Sequence, residues 1–478
     1  MISQDMDSGT KIGQFLIFRE ESQDFLFDGS NGVLSKVKPL VADILILARL
    51  YDLYNSKECE KIRNILSKKY KDEDVKTVIE QVKLSISNGM LSESGKIYQL
   101  LDKEYFGEDT FKGNLWLSVT DSCNLQCSYC FEKDNTFCGE KFMTVDTAKK
   151  CIDYWFDHID KNQYVYDIFF FGGEPLLNQK VILFCVDYIN TLLKDLKGIA
   201  RYNITTNGTI INNDLLRLFK ENIFLINVSV DGLEKIHNNH RKYKSGKPTY
   251  NLVISNMLRL SRVAKKLSAF ICLTSKDIPY FKQSVFYLWD LGIKNVYGNL
   301  VFGKNQVYHC EDYMEFNMQI KAIGEAVYKN IINDKPYYYN SFIEMMKSIY
   351  RRKFALNCYF WQNGIFVFSP EGDAYRCHRF MGDKRFILGN INDKTLDLLA
   401  ERKRKEKIDK CSRCWYQLYC GDGCPYENEI YTGNINEPSE MQCMRGKITF
   451  EESLRLFAKL SMLCPEKLEN LMGGKKSE

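Results

Sequence analysis

Three closely spaced cysteines constrain this chain more than any other feature. Cys123, Cys127 and Cys130 stand in the run Asp121-Ser122-Cys123-Asn124-Leu125-Gln126-Cys127-Ser128-Tyr129-Cys130, with C-x3-C-x2-C spacing. Three thiolates this close suit three irons of a 4Fe-4S cube and leave the fourth without a protein ligand, which favours binding and reductive cleavage of an external molecule over simple electron storage. A zinc knuckle would want a further Cys or His pair close by, and the next cysteine, Cys138, stands eight residues on in a polar stretch. Disulfides fit poorly, because residues 1–10 are polar and acidic and lack the apolar segment of a secretory signal.

A chain of 478 residues divides naturally into two to four domains, each able to bury its own core. The net charge of +5 is spread along the chain, so a dedicated nucleic-acid surface is not expected. The dense basic run at 401–407 reads as a solvated helix face beside a cysteine cluster. Because no apolar run approaches the ~18 residues of a membrane span, no membrane crossing is expected. Seventeen cysteines without a signal segment point to metal ligation in a reducing cytoplasm.

After Cys130 the pattern alternates between strands and helices, as in parallel βα units, so the fold class is α/β. A β-branched and aromatic run at 166–171 stops at Gly172-Gly173-Glu174-Pro175. Loops at strand carboxyl ends build sites in such folds, where glycines let backbone approach a ligand and a carboxylate receives an ammonium group. Strand-like runs at 202–206, 225–230, 269–274 and 295–301 continue the series, with a helix expected at 250–267. About six units result, giving a partial (β/α)6 barrel open at one side.

A second constellation begins at Cys358. Thirteen residues separate it from Gly372, four more precede Cys377, and Cys411-x2-Cys414-x5-Cys420-x3-Cys424 and Cys443 follow. Paired zinc ribbons would repeat the C-x2-C pair, which occurs once in this run. The first hundred residues differ in character: short strands at 15–18 and 24–27 meet at Glu20 to Gln23, 33–37 follows a turn, and helices are expected at 40–54, 57–69 and 73–88.

The cysteine triad with GGEP about forty residues later resembles the signature of radical S-adenosylmethionine (SAM) enzymes, and the seven-cysteine spacing resembles the SPASM extension of one branch of them. The β-meander with three helices resembles the small winged-helix-like domain with which peptide-modifying enzymes bind a leader peptide as an added strand, the docking edge expected at 15–27. The domains expected are thus 1–105 for leader recognition, 106–340 for the barrel, 341–450 for SPASM and 451–478 as a terminal helix and tail.

That resemblance implies residue roles. Cys123, Cys127 and Cys130 would hold the SAM-binding cluster, and Gly172, Gly173, Glu174 and Pro175 would hold the amino group of SAM. Ser229 and Asp231 would lie beside its ribose, and Arg241 would grip its carboxylate through two parallel bonds. Tyr129 and Phe131 would pack on the adenine, shield the cluster or simply fill the core. Cys411, Cys414, Cys420 and Cys443 would hold an outer auxiliary 4Fe-4S cluster. Cys358, Cys377 and Cys424 would hold an inner one, its last iron open to a substrate thiolate or met by Cys310. Cys59, Cys151, Cys185, Cys272 and Cys464 read as small buried hydrophobes.

The implied activity is a cytoplasmic maturase of ribosomally made peptides, fed by a low-potential donor such as flavodoxin or ferredoxin. A 5'-deoxyadenosyl radical from SAM would abstract hydrogen from an unactivated carbon, and a thioether from Cys sulfur to carbon would form. Carbon-carbon or carbon-oxygen crosslinking is the alternative within the class. Anaerobic sulfatase maturases share the cysteine plan, but there an aspartate commonly follows the second SPASM cysteine, where this chain has His378. A metal-binding protein without catalysis is the alternative of a different class.

Overall fold

The computed structural model describes residues 15–91, 113–133, 139–303, 306–354, 358, 360–361, 365–393, 396, 398 and 408–473. Cys138 and the basic run at 401–407 lie outside the described residues.

Strands β1 (Phe15–Glu20), β2 (Gln23–Asp28) and β3 (Val33–Val37) form an antiparallel sheet in that order. Glu21 and Ser22 join β1 to β2 with φ of 47° and 64°, the left-handed pair whose twist matches that of a tight hairpin. Helices Pro39–Leu47, Ser56–Leu66 and Asp72–Ser87 follow, the second capped by Asn55, whose side chain accepts the Lys57 and Glu58 N–H groups. Strand alternation divides the apolar residues between two faces. Phe15 and Leu26 pack on the three helices, whereas Leu16, Phe18, Phe25 and Phe27 pack against Trp415, Tyr416, Leu418, Tyr419 and Phe450 far along the chain.

The docking edge expected at 15–27 falls on β1 and β2, of which β1 is an edge strand of the sheet. β2 is the middle strand, paired on both sides, and has no edge to offer. On β1 the Phe15 carbonyl accepts from Arg49 Nη2 at 2.6 Å and the Arg19 carbonyl from Arg455 Nη1 at 3.1 Å. Among the described residues, no strand pairs with the outer side of β3.

The barrel strands are β4 (Asn114–Thr120), β5 (Val165–Gly172), β6 (Ile199–Thr206), β7 (Phe224–Ser229), β8 (Lys266–Leu273) and β9 (Asn295–Leu300), parallel and neighbouring in chain order. A two-residue strand, β10 (Tyr338–Tyr339), extends the β9 side. β4 does not return to β9. Its free side takes β11 (Ile365–Phe368) in parallel, followed by antiparallel β12 (Asp373–Tyr375) and β13 (Ile387–Asn390). The partial (β/α)6 barrel is therefore present, and the cysteine-rich segment extends its sheet instead of closing it.

One set of alternating side chains, including Leu115, Leu117, Val119, Ile168, Phe170, Tyr202, Ile204, Ile226, Val228, Ala269 and Ile271, packs under the helices. The opposite set is largely polar, with Ser118, Asp167, Asn203, Thr205, Asn227, Ser229 and Asn299 lining the concave side, where Thr205 and Asn299 are exposed. This alternation leaves an accessible polar hollow at the strand ends. The stretch Pro175–Lys194 is long and apolar enough to cross a membrane, but its Val181, Ile182, Cys185, Val186, Ile189 and Leu193 pack in the barrel core. The helix expected at 250–267 ends at Leu260, because β8 begins at Lys266. Helix Glu440–Leu463 runs unbroken through residue 450, where a domain boundary was expected, and packs on helices Cys310–Ile332 and Asn340–Arg351.

Candidate active site

The triad loop leaves the carboxyl end of β4 and crosses the barrel mouth. Backbone bonds hold it there: Gln126 N–H donates to the Lys242 carbonyl at 2.8 Å and Ser128 N–H to the His240 carbonyl at 3.1 Å. The end of β5 lies directly against the chain entering the loop. Gly173 N–H donates to the Thr120 carbonyl at 3.0 Å and Glu174 N–H to the Ser122 carbonyl at 2.9 Å. Gly172 has φ +133°, and a Cβ there would stand 1.9 Å from the Thr120 oxygen; a Cβ on Gly173 would stand 2.3 Å from the Ser122 oxygen. Both glycines are therefore required by close backbone approach.

Glu174 is fully buried, and its carboxylate accepts from Thr206 Oγ1 at 2.7 Å, Asn207 N–H at 2.6 Å and Leu176 N–H at 3.1 Å. Burial pushes its carboxyl up to about 7 against those three bonds. The side chain thus ties β5 to the end of β6, while its backbone faces the triad loop. Pro175 opens the buried turn that follows, and Asn178 closes it by donating to the Val119 and Met143 carbonyls.

Across the mouth, Asp231 is fully buried at the end of β7. Its Oδ2 accepts from Tyr129 at 2.5 Å and from Arg241 Nε at 2.9 Å, and its Oδ1 from Cys272 N–H at 3.0 Å. Arg241 is 6% exposed, stacks over the Tyr129 ring at 5.3 Å, and turns Nη1 toward Cys127 Sγ at 4.0 Å and Nη2 toward Cys272 Sγ at 3.5 Å. Anchoring through Nε leaves Nη1 facing the triad sulfur of Cys127 and Nη2 facing Cys272. Ser229 stands half-buried on the concave side of β7, two residues before Asp231. The structure thus brings Tyr129, Asp231 and Arg241 together with the triad.

Several participants had no signal in the sequence. His240 bridges Ser128 Oγ at 2.6 Å and Asp277 Oδ2 at 2.9 Å, fastening the triad loop to the end of β8. Asn207 donates to Asn124 Oδ1 at 2.8 Å, beside Cys123. Cys272, expected as a core hydrophobe like Cys151 and Cys185, instead stands on the concave side against Arg241, because its strand phase differs by one residue from that of Ile271 and Leu273. The Asn-Gly turn at 207–208 was the one available hint for Asn207.

The later cysteines form two neighbourhoods. Cys411 lies in the electrostatic field of Cys414, Cys420 and Cys443, and Cys377 in that of Cys424 and Cys358. Cys358, Cys377 and Cys424 pack with Phe360, Trp361, Phe380 and Tyr426. Phe131 docks onto this aromatic group, edge-on to Tyr426 at 6.3 Å, with Arg379 over its ring at 5.1 Å. Cys310 is exposed at the first turn of its helix.

The donor chemistry fits iron-sulfur ligation. Burial pushes the Cys123 and Cys377 thiols up to about 12, and pushes Cys411 and Cys420 up as well, so each needs the positive charge of a metal to be held as thiolate. Among the described residues, no three His, Cys, Asp or Glu side chains converge closely enough for one mononuclear ion.

Comparison with known proteins agrees with this geometry. Residues 117–276 match the family model of the Radical SAM superfamily. An uncharacterised protein of Methanocaldococcus jannaschii is 32% identical over 294 residues, 61% of this chain and 93% of that protein. A cysteine-type anaerobic sulfatase-maturating enzyme of Clostridium novyi is 26% identical over 340 residues, 65% of this chain and 87% of the enzyme. Among solved structures, anSMEcpe with bound AdoMet superposes with a TM-score of 0.62 at 20% identity, covering 76% of this chain and 98% of its own. Streptococcus suis SuiB bound to precursor peptide SuiA superposes with a TM-score of 0.50 at 14% identity, covering 90% and 98%. The chain belongs to the Radical SAM superfamily and is an enzyme that acts by radical chemistry.

Proposed function

We propose that this enzyme is a peptide maturase that joins a cysteine sulfur to a carbon atom within a ribosomally made precursor peptide. The observation that carries the reading is the division of the seven C-terminal cysteines into a neighbourhood of four and a neighbourhood of three, the three lying beside the aromatic wall that reaches the triad loop. Three protein thiolates leave a cube one ligand short, and a peptide thiolate is the complementary fourth.

In this reading Cys123, Cys127 and Cys130 hold one 4Fe-4S cluster, Cys411, Cys414, Cys420 and Cys443 a second, and Cys358, Cys377 and Cys424 a third. SAM bound at the triad would supply a 5'-deoxyadenosyl radical able to take hydrogen from an unactivated carbon. The Gly172 and Gly173 backbone forms the floor for the amino group of SAM, and Glu174 with Pro175 fixes that floor in place. Arg241 offers its outer N–H edge to the carboxylate, while Asp231 and Tyr129 hold the guanidinium at that angle and Ser229 flanks the ribose side. Phe131, Phe302 and Tyr426, gathered around Arg379, screen the reacting space from water. A leader peptide would add to β3, the sheet edge opposite the one that Arg49 and Arg455 occupy. The organisation into 1–105, 106–340 and a cysteine-rich part from 341 whose helix Glu440–Leu463 runs on past residue 450, the flavodoxin- or ferredoxin-type donor and the cytoplasmic setting complete the reading.

Sulfatase maturation is the second reading, favoured by the likeness to the Clostridium novyi enzyme. His378 counts against it, since its ring is stacked on Trp116 at 4.8 Å and edge-on to Phe171 at 5.3 Å, where an aspartate is expected for that activity.

The deciding experiment is anoxic incubation of the reconstituted enzyme with SAM, reductant and a cysteine-containing peptide encoded beside it, followed by thiol alkylation and intact mass. Loss of two hydrogens together with one alkylatable thiol is expected. The same mass loss with every thiol free would replace the thioether by a crosslink between other atoms, and formylglycine on a sulfatase peptide would establish the second reading.

A further inference from the structure

Between the two cysteine neighbourhoods lies a buried ion pair. Arg445, two residues after Cys443, donates from Nη2 to Glu427 Oε1 at 2.8 Å, and Glu427 stands three residues after Cys424. Glu427 is 3% exposed and the Arg445 side chain 16%. Among the described residues only one N–H and one oxygen of the pair are used: Glu427 Oε2 and Arg445 Nη1 are buried without a hydrogen-bond partner there. So thinly bonded a pair is a poor stabiliser, because the desolvation of both charges is offset by a single contact.

Its surroundings give it another use. Gln442, on the helix that carries Cys443 and Arg445, accepts the Cys424 N–H at 2.8 Å. Cys424 lies in the field of Arg445, and Tyr416 lies in the fields of Arg445, Cys414, Cys420 and Cys443. The Phe302 ring meets Arg445 at 5.9 Å and Arg379 at 4.3 Å, so cations and aromatic surface surround the inner neighbourhood.

We propose that Arg445 and Glu427 form a charge couple that sets which cysteine neighbourhood takes an electron more readily, Arg445 cancelling the carboxylate that Glu427 places beside Cys424. The inference rests on the reading that both neighbourhoods hold clusters. A cluster gains negative charge on reduction, so a bare anion nearby opposes reduction and a bare cation favours it, most strongly where water is excluded. Both residues are positioning residues, acting on a site without touching substrate.

The test is an EPR-monitored redox titration of full-length protein whose triad cysteines are alanine, with iron and sulfide counted for every variant. Arg445→Met is expected to lower the midpoint potential of one auxiliary signal and Glu427→Gln to raise it. The double variant returns toward the parent value, and Arg445→Lys stays near it. Shifts of equal sign in the two single variants, or no shift, would overturn the couple. If Arg445→Met loses its iron, the Glu427→Gln shift decides alone, upward in support and flat or downward against. A parent protein with iron for fewer than two auxiliary clusters would overturn the cluster reading itself, and the couple with it.

Discussion

Gly173→Ala is the most exacting test of the site's construction. The new methyl carbon would stand 2.3 Å from the Ser122 oxygen, 2.6 Å from its carbonyl carbon and 2.9 Å from the Asp121 oxygen. These are backbone atoms, so no side chain can rotate away, and relief requires the peptide before Cys123 to retreat by about 1 Å. That retreat breaks the Glu174 to Ser122 bond of 2.9 Å and strains the Gly173 to Thr120 bond of 3.0 Å. Two backbone bonds at about 1 kcal/mol each and an overpacking cost of about 1–3 kcal/mol predict a loss of about 3–5 kcal/mol in urea denaturation. Gly246→Ala is the control: φ is +82° with nothing within 4 Å of the new carbon, so only about 1 kcal/mol of backbone strain is expected. In 5'-deoxyadenosine formation Gly173→Ala should fall at least tenfold, because Cys123 moves with Ser122, while Gly246→Ala stays near wild type. Equal stability and equal SAM cleavage in the two variants would refute the view that the Gly173 contact locates the triad.

Cys123→Ala should abolish SAM cleavage, whereas Cys414→Ala should retain some cleavage and yield no finished peptide; chromatography of 5'-deoxyadenosine and peptide mass measure the two separately. Burial holds the Glu452 carboxyl up at about 8, outweighing Arg455, so the folded state keeps a proton that the unfolded chain releases near pH 4.3. Stability should therefore decline as pH rises from about 4.5 to about 8, and Glu452→Gln should flatten that slope and stabilise the protein at pH 8 by on the order of 1–2 kcal/mol, read from urea midpoints across pH. Phe27→Ala, at a fully buried site against Trp415, Tyr419 and Phe450, should cost about 3–5 kcal/mol and lower the iron bound in a triad-less background. Unchanged iron in that variant would separate the N-terminal sheet from the outer cysteines.

What the sequence displayed was local. The barrel strands were readable because each puts large apolar residues at alternate positions and stops at a polar or glycine turn, as β5 does at Gly172. Gly172, Gly173 and Asp231 were findable from their places at strand ends, and Arg241 from the family resemblance alone. What stayed hidden depends on contacts between distant segments. Cys272 reads as one more apolar strand residue until its phase within β8 turns it toward Arg241. His240 acquires its place only when Ser128 and Asp277, 112 and 37 residues away, meet on either side of its ring. Arg49 and Arg455 cap β1 from 34 and 436 residues away, which no hairpin pattern foretells.

The ring contacts of Phe27 with Trp415, Tyr419 and Phe450 bear on any attempt to build chimeras. Trp415 is the residue after Cys414 and Tyr419 the residue before Cys420, so the underside of the N-terminal sheet forms the wall behind two outer cysteines. A graft of the first ninety residues onto another maturase would arrive with an apolar underside and no complementary aromatic bed, and the donor would keep a bed open to solvent. Moving the N-terminal sheet between such enzymes therefore calls for moving the 414–420 segment and the Phe450 helix face with it as one unit.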